Sequence, residues 1–384
     1  MRETEQVAKS GASDQQAISR GQQLAGEYFR AQMADHQIPY SGQFSAQVSI
    51  NNLTYSGTAN YTGESPLTLA KIFESPPLPI SIESAANIAG QEYNEIHIVI
   101  DNSASMGVGA DNASIARMAT AINCAFACHI PAGLPGYSDT HIAARNAGAE
   151  LRIDVVKRAA IDLVGSLQAE GYGDLMSVAV HTFSNSLTTV QPSTSDLALV
   201  QTALGTVELS NELNEGGTGF DRSIDQLESI VGISGDGSRS TARRKSVILV
   251  TDGVSTNIAF DLAGPNVGSE NPAFRAFSPV INGAPGAWFT SQGFDDRLCN
   301  DLKNRNQATV ITLNVEYVIP TVGTDGDTRF SEINNVLKPD IERHMQDCAS
   351  SPALARTAND PVDIRAAMAE LLQNLQSYTL RLTN

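Results

Sequence analysis

The chain has 384 residues, 41% hydrophobic and 17% charged, with a formal net charge of -17; this is a globular composition, long enough for two domains or one large domain with an appendage. The acidic balance argues against nucleic acid and anionic membrane surfaces as partners. No run of about 18 apolar residues reads as a membrane-spanning helix, and the polar first ten residues lack the apolar core of a signal peptide.

Residues 1–13 are expected to be a disordered or truncated stub. Between Asp14 and Ala34, the residues Ala17, Leu24, Ala25, Tyr28, Phe29 and Met33 fall on one helical face, which Gly21 and Gly26 weaken. The period then changes to two: Phe44, Ala46, Val48 and Ile50 alternate with polar residues, as do Leu53 and Tyr55 and the segment around Ala59 and Tyr61, with turns at Asn51-Asn52 and Thr62-Gly63-Glu64. A stiff connector, Glu74-Ser75-Pro76-Pro77-Leu78-Pro79, leads to Ile80, Ile82 and a small-residue run ending at Gly90. Residues 14–90 therefore read as a helix with a small antiparallel sheet, an appendage to a larger domain beginning near residue 91.

Ile96-His97-Ile98-Val99-Ile100 is a buried strand that ends in Asp101-Asn102-Ser103-Ala104-Ser105. Residues 107–150 form an insertion with helical potential at Ile115–Ala127 and Thr140–Ala149 around a Pro/Gly turn. Ile153, Val156, Ala160, Leu163, Val164 and Leu167 repeat at helical spacing, and Leu175–Phe183 is a strand. Thr218 stands in a glycine loop before a helix carrying Phe220, Ile224, Leu227 and Ile230. Arg243-Arg244-Lys245 marks a solvated turn before the strand Ser246–Thr251, which closes on Asp252-Gly253. Residues 255–294 read as a long surface loop holding the single tryptophan, Trp288. A helix (295–304), a β-branched strand (309–318), a Gly/Asp turn (323–327), a helical stretch (330–347) broken near Pro339, an apolar-faced helix (362–375) and a terminal strand (378–382) complete the chain. Strands alternating with helices from residue 96 onward imply an α/β domain over 91–384, a doubly wound, mainly parallel sheet with helices on both faces. Ligands bind such sheets beyond the carboxyl ends of the strands, where Asp101 and Asp252 lie.

Three pieces in this order, Asp101-x-Ser103-x-Ser105, the lone Thr218 hydroxyl, and the strand ending at Asp252, resemble the von Willebrand factor A domain and its metal-ion-dependent adhesion site. Carried over, the resemblance implies Asp101, Ser103, Ser105, Thr218 and Asp252 as ligands of Mg²⁺, with Mn²⁺ or Ca²⁺ as substitutes. The chemistry agrees: hard divalent cations take oxygen ligands, and a set without Cys or His disfavours zinc and copper. Taken singly, the hydroxyls are ordinary turn and helix-cap residues.

Four cysteines allow three connectivities, which spacing alone leaves open. The preceding helix and sheet, Cys124-Ala125-Phe126-Ala127-Cys128-His129, Leu151-Arg152-Ile153-Asp154-Val155 and the ending Leu380-Arg381-Leu382 resemble the TadG-like proteins of the tight-adherence (Flp) pilus system, over nearly the whole chain from about residue 14. That resemblance implies disulfides Cys124–Cys128 and Cys299–Cys348, a periplasmic or cell-surface location, and a membrane anchor expected upstream and absent from this sequence. A covalent haem at Cys124, Cys128 and His129 is disfavoured, because three residues rather than two separate the cysteines.

The leading functional expectation is a non-enzymatic binding module whose cation takes a Glu or Asp from a protein partner, a pilus component or a surface receptor. A scaffold of pilus assembly, with the cation only bracing loops, is the alternative. Enzymatic readings, Ser103 or Ser105 as nucleophile or a cation-activated water, find no G-x-S-x-G. The histidines His36, His97, His129, His141, His181 and His344 sit in no recognisable nucleophile motif, and His97 and His181 read as sheet residues.

Overall fold

The computed structural model describes residues 1–10, 12–35, 41–51, 53–65, 78–90, 92–123, 140–210, 218–257, 280–282, 290–316 and 333–381. Its first unit comprises Met1–Tyr93 and Gly235–Arg244. Helices α1 (Arg2–Lys9) and α2 (Asp14–Asp35) precede the antiparallel strands β1 (Ser41–Asn51), β2 (Thr54–Ser65) and β3 (Leu78–Ala89), which lie in the order β1-β2-β3. Alternation places Val48 and Tyr55 inward, and Tyr55 meets Ala8 and Ala17 in a small core. Phe29 of α2 stacks on Phe44 of β1 with ring centroids 4.4 Å apart. The segment 235–244 belongs to this unit because Tyr93 N–H donates to the Gly237 carbonyl and Arg244 N–H to that of Tyr93, both at 2.9 Å. The sequence reading places the unit's end at residue 90 and does not include this excursion.

The second unit, Asn94–Ser234 and Lys245–Asn384, carries the large sheet. Its elements are β4 (Asn94–Asp101), α3 (Asn112–Ile122), α4 (Thr140–Asn146), α5 (Arg152–Ala169), β5 (Met176–Phe183), β6 (Leu187–Thr194), α6 (Leu197–Gly205), α7 (Phe220–Val231), β7 (Arg244–Thr251), β8 (Val254–Asn257), β9 (Val280–Asn282), β10 (Thr290–Gly293), α8 (Cys299–Asn304), β11 (Thr309–Val315), α9 (Lys338–Cys348), β12 (Ala355–Ala358) and α10 (Pro361–Arg381). Six strands lie in the order β12-β11-β7-β4-β5-β6. β4 pairs with β5, β7 with β11, and β11 with β12 in parallel, while β6 is an antiparallel edge on β5. Alternate residues of each central strand feed two cores. Ile96, Ile98 and Ile100 join α5, α6 and α10 on one face; Val99, Val247 and Leu249 join α7, α8 and α9 on the other. This is a doubly wound α/β sheet with helices on both faces.

Further expectations change. Thr62-Gly63-Glu64, expected as a turn, continues β2, held there by pairing with Ser81, Ile80 and Pro79 of β3. Residues 2–9 of the presumed stub are helical, because Ala8, backed by Val7, has Ala17 and Tyr55 to pack against. The stretch 255–294 holds a three-stranded antiparallel sheet in the order β8-β10-β9, since Val254–Asn257 pairs with Thr290–Gly293. Residues 378–381 continue α10 instead of forming a strand. A helix nucleated on buried Ile364, Met368, Leu371 and Leu375 extends at little cost per added residue. Finally, β6, α6 and β12 had no counterpart in the sequence reading. β6 is half exposed and carries Pro192, and β12 is Ala-Arg-Thr-Ala, so neither shows an apolar run. Cys124, Cys128, His129, Trp288 and the turns at 131–136 and 323–327 lie outside the described residues.

Candidate metal centre

Numbered within the domain, the strand order is the doubly wound 3-2-1-4-5-6, and the order reverses between β4 and β7. Asp101 ends β4 and Asp252 follows β7, so both carboxylates stand at that switch point. Their burial is nearly complete, at 0% and 1% exposure.

The loop after β4 is shaped by its own acid. Ser103 N–H donates to Asp101 Oδ1 at 2.9 Å, and a 3-10 turn over Ala104–Gly107 then brings Ser105 Oγ to 3.0 Å from Ser103 Oγ. Across the switch point, the Thr251 hydroxyl donates to Asp101 Oδ2 at 2.7 Å and accepts from Gly253 N–H at 3.1 Å. Gly253 turns the chain there with φ +75, and a Cβ would come within 2.4 Å of the Ile341 side chain, so glycine is required twice over. The turn is closed by Val254 N–H donating to Asp252 Oδ1 at 3.2 Å. Thr218 is 4% exposed, and its carbonyl accepts from the Ser255 hydroxyl at 3.1 Å; the next residue's N–H donates to Ser184 O at 2.7 Å. Asp101, Ser103 and Ser105 are linked by hydrogen bonds, Asp252 lies close enough to Asp101 for their charges to interact, and Thr218 is bonded through its backbone to Ser255, near the turn that carries Asp252.

Burial and then the neighbouring Asp252 carboxylate push Asp101 well above the usual carboxylate range, against the opposing pull of the Ser103 and Thr251 hydrogen bonds. Two acids that repel one another, with the Ser103, Ser105 and Thr251 hydroxyls beside Asp101, form a donor set short of positive charge, which is of the kind that suits a hard divalent cation. Among the described residues no group of three or more His, Cys, Asp or Glu is placed to hold an ion, so a centre here depends on hydroxyl oxygens as well as the two acids.

No family model matches the chain, and no curated protein does. Among solved structures, the chain is similar to the PilB minor pilin from Streptococcus sanguinis, at 13% identity and TM-score 0.43, over 90% of this chain and 80% of that one. It is similar to the vWF domain of the type V pili tip protein Mfa5 from Porphyromonas gingivalis, at 13% identity and TM-score 0.42, over 76% and 97% of the two chains. It is also similar to proximal thread matrix protein 1 from the mussel byssus, at 14% identity and TM-score 0.40; the match covers 74% of this chain but only 48% of the mussel protein. At such identities, function has to be argued from the chain's own residues.

Sequence reasoning did not pick out Thr251 or Ser255. Nor did it find a clamp behind the first loop. Asn102 Nδ2 donates to the Glu208 carbonyl at 3.1 Å, and Ser210 N–H donates to the Asn102 carbonyl at 2.8 Å. The Glu208 carboxylate is gripped by Arg145 at 2.7 Å and Lys157 at 3.2 Å, and Arg145 also pairs with Asp154 at 2.7 Å. Arg145 lies on α4, inside the insertion, so that segment braces the site. Elsewhere, Cys299 and Cys348 form a disulfide joining the start of α8 to the end of α9, with Cα atoms 5.2 Å apart.

Proposed function

We propose that the chain is a non-enzymatic, cation-dependent adhesion module, in which Asp101, Ser103, Ser105, Thr218 and Asp252 hold Mg²⁺ and a protein partner supplies a Glu or Asp. The observation that carries this reading is the burial of Asp101 and Asp252 together at the switch point, with the Ser103 and Ser105 hydroxyls beside Asp101. When bound, the cation supplies a positive centre that attracts an outside carboxylate. The protein's own residues set the geometry: Thr251 and the Ser103 N–H hold both oxygens of Asp101, while Gly253 and Val254 fix the turn that carries Asp252. Ser105 is the partly exposed ligand, and the neighbouring Asn102 is partly exposed as well, so approach is from their side. The resemblance to TadG-like proteins adds the setting, an exported Flp pilus-assembly protein held at the periplasmic face or cell surface and anchored by a segment upstream. The Cys299–Cys348 disulfide fits an oxidising compartment of that kind.

The test is binding of the purified chain to immobilised peptides bearing Asp or Glu and to their Asn or Gln counterparts, in Mg²⁺ and in EDTA. Binding is expected to acidic peptides only, in Mg²⁺ only, and to be lost in a folded Thr218→Ala variant. Equal binding in EDTA overturns the reading. The near-complete burial of both carboxylates favours one second reading, a cation that only braces the loops; a Mg²⁺-induced rise in Tm without any peptide binding selects it.

A further inference from the structure

The small sheet of the first unit has two unlike faces. Register sets Phe44, Tyr61 and Ile82 in one cross-strand row and Ile50, Tyr55 and Ile88 in another on the same side, whereas Ser45, Asn60 and Glu83 form a row on the other. Cover on the apolar side stops short of β3. Phe29 stacks on Phe44 at 4.4 Å and its ring lies 5.4 Å from that of Tyr61, but Ile82, next in the row, is 58% exposed. From Ser81 to Asn87, β3 is exposed throughout.

The edge of β3 is also unguarded. Edge strands are ordinarily protected by shortness, lysines, bulges or a proline within the strand. The large sheet follows that rule: β6 carries Pro192 and shifts register against β5, and β12 is only 4 residues long. β3 instead runs without a shift from Leu78 to Ala89, with Glu83 as its single charge and its proline, Pro79, at the start. Among the described residues no strand pairs with its outer side. The opposite edge, β1, offers less apolar area, because Phe44 is already under Phe29 and Val48 is 8% exposed.

We propose that β3 pairs antiparallel with β3 of a second copy of this chain, joining the two small sheets across a two-fold axis. The sequence of the strand is complementary to itself. An axis normal to the sheet keeps the two apolar faces on one side, and it requires opposed residues to share a face. Two such registers use nearly the whole strand. The one centred on Glu83 sets like charges directly opposite, which is destabilising. The one centred on Ser84 sets Ile80 against the partner's Ile88, Ile82 against the partner's Ala86 and Glu83 against the partner's Ala85, and it leaves Pro79 at the end of the ladder, where its missing N–H matters least. Main-chain hydrogen bonds along the edge supply the affinity, and the apolar pairs fix the register. No residue of the proposed cation centre takes part.

Sedimentation velocity of the full chain over a concentration series, in EDTA, tests the pairing. Wild type is expected to dimerise. Ser84→Lys, an exposed position at which two ammoniums would meet on the axis, is expected to weaken the dimer about tenfold or more with an unchanged circular dichroism spectrum. On mild oxidation Ser84→Cys is expected to give a disulfide-linked dimer, because position 84 opposes itself, while Ser81→Cys, which opposes the partner's Asn87, stays unlinked. A wild type that remains monomeric at about 0.1 mM, a dimer of unchanged strength in Ser84→Lys, or crosslinking by Ser81→Cys in preference to Ser84→Cys overturns the proposal.

Discussion

At the scale of single residues, Thr251 shows how a site depends on a side chain that does not itself belong to the proposed ligand set. Its hydroxyl fixes one oxygen of Asp101, so Thr251→Val, nearly isosteric, is expected to fold normally and to weaken cation binding about 10- to 100-fold. An unchanged affinity in Mn²⁺ titration would mean that Asp101 needs no such positioning. A second buried set lies along β4 and β5: His97 Nδ1 is 3.1 Å from His181 Nε2, His97 Nε2 is 2.8 Å from Glu95 Oε1, and Thr189 contacts the far nitrogen of His181 at 3.1 Å. Burial, followed by the charge of His97, pushes His181 down to about 4. Burial raises Glu95, but the hydrogen bond and charge of His97, the Ser193 hydroxyl and Lys245 outweigh it and hold Glu95 down to about 2. Both groups have folded values below their ordinary ones, so the unfolded chain takes up protons first on acidification. Stability is therefore lost between about pH 6.5 and 4 through His181, and below about pH 4.5 through Glu95. The His181 contribution is on the order of 3 kcal/mol. Tm measured from pH 7 to 4.5 should fall steeply for wild type and less for His181→Gln; parallel curves would contradict this assignment. The sequence placed both histidines on strands. It could not show that residues 84 positions apart touch.

At the scale of elements, strongly patterned segments were legible and weakly patterned ones were not. Asp101 and Asp252 could be read because each closes an apolar strand, which predicts a carboxyl end facing the crevice. β12 could not, because Ala355-Arg356-Thr357-Ala358 draws its strand character from pairing with β11 and not from its own side chains. The clamp on Glu208 has the same cause, since it forms only when α4, α5 and the 206–210 loop converge. Glu208 is 43% exposed, so its ion pairs are worth less than about 1 kcal/mol to stability. Glu208→Ala should leave Tm nearly unchanged yet speed amide exchange at Asn102 to Ser105, whereas a large fall in Tm with unchanged exchange would assign the clamp a purely structural role.

At the scale of the whole molecule, the doubly wound strand order was legible in class but not in detail: alternation of strands and helices gave a mainly parallel sheet, and the antiparallel edge β6 came only from the structure. The Cys299–Cys348 disulfide closes a loop across 49 positions and ties α8 to α9, the helices that cover the face beside Asp252. Chain-entropy arguments make such a crosslink worth about 4 kcal/mol, so Cys299→Ser is expected to lower Tm markedly in the oxidised protein and to do little more under reducing conditions. The central claim, that the five oxygen-bearing residues at the switch point form a cation centre, is tested most directly by calorimetric titration of Mg²⁺ and Mn²⁺ into the purified chain beside Asp252→Ala. Saturable binding by wild type, lost in a variant whose circular dichroism shows an intact fold, is the predicted result. Binding retained undiminished in Asp252→Ala, or no binding by folded wild type, would contradict it and return Ser103, Ser105 and Thr218 to the role of loop and cap residues.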